Sequence, residues 1–101
     1  MAGPLIWSSE SLEDIDAIAQ FIARDSRHHA QRVVEALLAL GDAIEAQPLA
    51  GRAVPELGQS AVREGFLYSY RVIYEVSSAR VTVLAVLHGR RLLDSVEDRL
   101  T

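Results

Sequence analysis

The sequence predicts an α+β domain in which an N-terminal strand and a helical hairpin precede a small antiparallel sheet. Three observations predict it. Apolar residues recur every three or four positions through the first half, and the spacing drops to two after residue 60. Between the two regimes, Pro48 to Gln59 holds two Pro and two Gly in twelve residues, the composition of a connecting loop. With 101 residues, half of them hydrophobic and 24% charged, the chain is expected to form a single domain, 1–101, around one modest core.

Each element has its own warrant. Leu5 to Ser8 is a short apolar strand. Ser11 stands three residues before Asp14, a capping-box variant that would start a first helix. Leu12, Ile15, Ile18, Ala19 and Ile22 supply its apolar stripe, and Glu13, Asp14 and Asp16 complement the positive end of its dipole. Ser26 is placed to cap a second helix, whose stripe runs through Ala30, Val33, Val34, Leu37, Leu38, Gly41 and Ile44 until Pro48 ends it. Ala61 to Leu67, Tyr70 to Val76 and Val81 to Leu87 read as strands, joined closely enough to demand antiparallel hairpins. Leu92 to Leu100 can form a short C-terminal helix. The resulting order is β-α-α-β-β-β, with the αα-hairpin packed on one face of the sheet. In the strand from Tyr70 to Val76, alternation sends Tyr70, Val72, Tyr74 and Val76 toward the helices. Arg71, Ile73 and Glu75 are then expected on an opposite, uncovered face.

Charge and composition narrow the function classes. Fourteen acids face ten basic residues, all Arg, for a net charge of −4. Nonspecific nucleic-acid binding normally needs a basic domain, so sequence-specific or nonspecific DNA binding by this chain alone is not expected. The halves differ: residues 1–50 hold three Arg against eight acids, and residues 51–101 hold seven against six. The absence of cysteine excludes disulfides and thiolate chemistry. No stretch approaches the roughly 20 apolar residues of a membrane span, and the first residues lack a secretory pattern, so a soluble cytoplasmic protein is expected.

The candidate site follows from the Arg-rich half. Arg63 lies beside Glu64, Arg71 between Tyr70 and Val72, and Arg90 and Arg91 after His88 and Gly89. If the strands pair in order, Arg63 and Arg71 approach one another on the uncovered face, beside Glu75, and the segment from His88 to Arg91 leaves the edge of the same sheet. Clustered guanidinium groups can clamp a phosphodiester or grip a partner's carboxylates. The competing reading is that each pairs with a nearby acid, such as Glu64, Glu75 or Asp94, and only solvates that face. His88 has the titration range of a general acid or base, against the plainer role of a turn or packing residue. His28 and His29 are adjacent, so on a helix they diverge by about 100° and cannot form an i,i+4 metal pair. No cofactor or metal is implied. Neither Gly51-Arg52 nor Gly89-Arg90 continues as a phosphate-cradling loop, and Trp7 is expected in the core at the sheet edge.

The ordered set of Ala17–Ala23, Gly51-Arg52-Ala53-Val54-Pro55-Glu56-Leu57, Val62-Arg63-Glu64, Tyr70-Arg71-Val72-Ile73-Tyr74 and His88-Gly89-Arg90-Arg91 resembles the ParE branch of the RelE/ParE toxin superfamily. That resemblance spans about Ile6 to Leu93 and implies a helical hairpin on a small antiparallel sheet. It implies a toxin of a type II toxin–antitoxin module, active on DNA gyrase without hydrolytic chemistry and neutralised by a ParD-like antitoxin. The residues expected to bind target or antitoxin are those of the candidate site above: Arg63, Arg71, Glu75, His88, Arg90 and Arg91. The alternatives are a RelE-type ribosome-dependent mRNA endonuclease and a non-toxic binding module of the same fold. Arg71 and Arg91 match RelE-type positions, but the chain has no Lys, and the acidic segment after Arg91 has neither Tyr nor His. Both absences work against charge stabilisation and proton transfer at a scissile phosphate.

Overall fold

The computed structural model describes residues 3–54, 61–89 and 99. Strand β1 (Leu5–Trp7) leads into helix α1 (Ser9–Ala23), then helix α2 (Arg27–Ala46) and a 3-10 turn at Pro48–Ala50. Strands β2 (Arg52–Ala53), β3 (Val62–Leu67), β4 (Tyr70–Val76) and β5 (Val81–His88) follow. The α+β order is the expected one, and the two hairpins β3–β4 and β4–β5 are antiparallel.

Two features differ from expectation. The sheet is mixed: its order is β1-β5-β4-β3-β2, with β1 parallel to β5. A parallel pair needs a long crossover, here the entire helical hairpin and three strands. The two-residue strand β2 lies inside the segment expected to be only a loop. Its pairing of Arg52 with Glu64 and Ala53 with Arg63 continues the sheet beyond β3.

Capping explains where the helices begin. Ser8, not Ser11, caps α1; its hydroxyl accepts from the Ser11 amide at 3.1 Å, and the Ser11 hydroxyl donates to Ser8 O at 2.8 Å. Asp14 is therefore free of capping and reaches across to β5. Ser26 caps α2 as expected, accepting from the His29 amide at 3.0 Å. Of the α2 stripe, Ala30, Val33, Leu37, Gly41 and Ile44 are buried and Val34 half-buried, whereas Leu38 lies at the flank and is exposed. Val33, Leu37 and Ile44 pack with Ile15 against Val72, Tyr74, Val81, Val83 and Val86 of the sheet. Gly41 faces Trp7, whose indole edge lies where a side chain at that position would begin. Among the described residues, no helix is long and apolar enough to cross a membrane.

The second face of the sheet is not the bare surface that alternation suggested. Val54, Val62, Ile73, Leu84, Ala85 and Leu87 are buried there as a second apolar cluster. The physical signal is the near-continuous apolar run of β5, Val-Thr-Val-Leu-Ala-Val-Leu, which is characteristic of a strand buried on both sides.

Candidate functional site

The expected meeting of Arg63 and Arg71 does not occur. The two-residue connection at Tyr68 and Ser69 sets the β3–β4 register, pairing Arg63 with Tyr74 and Phe66 with Arg71. Directly opposed residues share a face, and Tyr74 belongs to the helix-side core. Arg63 therefore lies on the helix side and Arg71 on the other. One residue of register separates the two arrangements.

On the second face, Glu64 gathers two arginines. Its carboxylate accepts from Arg71 Nη2 at 2.6 Å and Nε at 3.0 Å, and from Arg52 Nε at 2.7 Å. The Glu64 side chain is wholly buried and that of Arg71 nearly so, whereas Arg52 is open to solvent and lies 5.6 Å above the Phe66 ring. A buried carboxylate is tolerable only with such partners. Arg71 is thus a component of an ion cluster that ties β2 and β4 to β3. Glu75, opposite Val62 and Thr82, forms no ion pair among the described residues.

On the helix side, Arg63 serves the backbone. Its Nη1 donates to Gly51 O at 2.7 Å and to Leu49 O at 3.4 Å, while its Nε is buried without a hydrogen-bond partner among the described residues. The adjacent Tyr74 hydroxyl donates to Pro48 O at 2.8 Å. Burial pushes the Tyr74 phenol above its ordinary range, against the opposing effects of a Gly51 backbone hydrogen bond and the Arg63 charge. Together these contacts pin the turn between α2 and β2.

His88 closes β5 at a point β1 does not reach, since β1 pairs only with Val81–Val83, so on that side it leaves the sheet at an edge, as expected. It pairs with Tyr70 and meets that ring edge-on, with centroids 5.2 Å apart. This aromatic pair divides two hollows at one end of the helix-side layer. One, of about 340 Å³, lies against Asp14, Ala17, Ile18 and Phe21 of α1. The other, of about 310 Å³, reaches Ile22, His29 and Val33 and is bordered by Tyr68 and Ser69. Phe21 is 69% exposed and Tyr68 76% exposed, large apolar side chains held in water beside the hollows. Tyr68 has a φ of 53°, a left-handed conformation that a bulky residue seldom adopts. The tight turn that fixes the β3–β4 register imposes it.

Beside the first hollow, β1 ends before β5 does. Ser8 supplies the last contacts, its amide to Val83 O at 3.1 Å and its hydroxyl to Leu84 O at 3.4 Å. Asp14 then takes over: its Oδ2 accepts from the Val86 amide at 3.0 Å and from Arg99 Nη1 at 2.8 Å. Arg99 Nη1 also donates to Leu84 O at 3.0 Å. Asp14 and Arg99 were not among the residues the sequence marked. The signal available was weak, a lone Asp on the flank of an apolar stripe and an Arg 85 positions away.

Arg90 and Arg91 lie outside the described residues, as does the expected C-terminal helix at 92–100 apart from residue 99. Among the described residues, no group of three or more His, Asp or Glu is placed to hold a metal ion.

Residues 5–93 match the family described as the ParE toxin of type II toxin–antitoxin system, parDE. Among solved structures, a chain of the chromosomal ParDE toxin–antitoxin system from P. aeruginosa superposes with a TM-score of 0.73 at 16% identity. The alignment covers 87% of this chain and 97% of that one, and identity so low speaks to the fold alone. No curated protein gives a significant match.

Proposed function

Because the chain belongs to the ParE toxin family of type II toxin–antitoxin systems, we propose that it acts on DNA gyrase, by binding rather than by hydrolysis. An antitoxin partner comes with membership of such a system. The observation that carries the non-hydrolytic reading is the Glu64–Arg71 pair. An arginine that stabilises a scissile phosphate must present its guanidinium to the substrate. Here that group is nearly buried and holds a carboxylate at 2.6 Å. The net charge of −4 also suits a protein whose main contact is another protein rather than a nucleic-acid backbone.

Of the residues marked in the sequence, His88 stands at the surface best shaped for a partner. The paired hollows, with Phe21 and Tyr68 exposed at their margins, provide an aromatic anchor zone of the kind that dominates protein interfaces. Arg90 and Arg91, which follow His88 directly, belong to the same proposal as basic contacts to target or antitoxin. Arg63, Arg71 and Glu75 enter it only as the frame that fixes the strands.

The test is a supercoiling assay. Purified protein is expected to inhibit gyrase or accumulate cleaved DNA, and His88→Ala with Phe21→Ala should weaken that effect about tenfold or more if the anchor zone contributes about 1.4 kcal/mol or more. Gyrase unaffected by excess toxin would reject the reading. New mRNA 5′ ends in translating ribosomes would favour the RelE-type alternative instead.

A further inference from the structure

We propose that the seam between α1 and β5 is a receptor for an arginine side chain of a polypeptide partner, and that Arg99 fills it in cis in the free chain. Beyond Ser8 that side of β5 has lost β1, leaving Leu84 O with only the long 3.4 Å bond from the Ser8 hydroxyl and Val86 N–H with no strand partner. Ile73 pairs with Ala85 and Tyr74 with Val83, so Leu84 is the extra residue of a bulge that turns its carbonyl outward. Asp14 satisfies Val86 N–H.

The remaining acceptors form a matched set for a guanidinium. Asp14 offers both carboxylate oxygens, at 2.8 Å to Nη1 and 3.4 Å to Nη2, and Leu84 O receives a second bond from Nη1 at 3.0 Å. Nη1 makes both short bonds, and the second carboxylate oxygen facing Nη2 is what a planar fork of donors engages and a single ammonium nitrogen does not. Glu10 and Glu13, on the same helix turns, add attraction for a cation. The guanidinium is only partly enclosed, with the Arg99 and Asp14 side chains each 20% exposed, so an exchange path to solvent exists. The hollow bounded by Ala17, Ile18 and Phe21 begins at Asp14, giving an apolar neighbour of that arginine a place to rest.

A site filled by its own chain has a measurable consequence. A tethered arginine competes with one supplied in trans at an effective concentration set by the tether. The apparent affinity for the outside ligand falls by the fraction of time the site stands open. Partner binding here and release of Arg99 are therefore coupled. The proposal needs no particular target, so its failure leaves the gyrase reading intact.

The probe is a synthetic peptide with the sequence of residues 96–101, Val-Glu-Asp-Arg-Leu-Thr, beside the same peptide with citrulline for arginine. Binding is followed by the amide resonance of Val86 in the full-length Arg99→Ala protein. The arginine peptide is expected to shift that resonance and the citrulline peptide to leave it unmoved. The wild-type protein should need about fivefold more peptide for the same shift. The Asp14→Asn, Arg99→Ala double variant keeps an acceptor for Val86 N–H and should lose the response. Equal responses to both peptides, or none in Arg99→Ala, would overturn the proposal. Should Arg99→Ala unfold, Arg99→Gln carries the same criteria, since it keeps part of the stem but neither the charge nor the fork.

Discussion

Glu64 is the residue whose loss should cost most. Its carboxylate is wholly buried and shared between Arg71 and Arg52, so neutralising it removes the charge that a nearly buried guanidinium holds at 2.6 Å. Glu64→Gln is expected to lower the unfolding free energy by about 3 kcal/mol, the scale for breaking a buried ion pair from one side. Urea unfolding measures it, and the accompanying Arg71→Met change should restore part of the loss. Tyr74 makes a different prediction. Its phenol is raised by burial, so the folded state favours the neutral form. That contribution is complete below the ordinary tyrosine range near 10 and disappears as pH climbs through the higher folded value. Wild type should therefore exceed Tyr74→Phe by about 1 kcal/mol at neutral pH, the worth of the bond to Pro48 O, with the gap shrinking in alkaline solution. A gap that stays constant above pH 10 would contradict the assignment.

At the scale of elements, α2 and β1 meet through Gly41. A Cβ there would come within 2.5 Å of Trp7 Cζ2. Alanine is the better helix former by about 1 kcal/mol, yet here overpacking should prevail and Gly41→Ala should destabilise by about 1–2 kcal/mol. Repeating the change in a Trp7→Leu background, where the indole is gone, should reverse the sign. Thermal melts of the four proteins decide it. The helices were largely legible in the sequence because stripe and cap agree: Ser26 and the run from Ala30 to Ile44 behave as their spacing indicates, except for the exposed Leu38. Asp14 misled at the start of α1, since a carboxylate three residues after a serine imitates a capping box while serving β5. Strand β2 had no periodicity to read, being two residues long.

Across the whole molecule, local pattern reached only so far. Alternation in β4 identified which residues point to the helices, and Val72 and Tyr74 are in that core. It said nothing of what covers the other side, where Ile73 and its neighbours are equally buried. The split of Arg63 from Arg71 was within reach of sequence reasoning: a two-residue turn flanked by Leu67 and Tyr70 fixes every later pair in the hairpin. The parallel docking of β1 on β5 was not, because no short-range signal links residues more than seventy positions apart. Glu64 was visible as the neighbour of Arg63, yet its true partners are Arg71 and Arg52, reached across two strand pairings.

That distant pairing constrains how the protein comes into being. Translation delivers Leu5–Trp7 long before Val81–Val83, so β1 waits on the ribosome for a companion that does not yet exist. Until then α1 has no β5 on which to rest, and the hollows beside His88 have not formed. The platform on which α1 docks therefore comes into being only once the last described strand has been made.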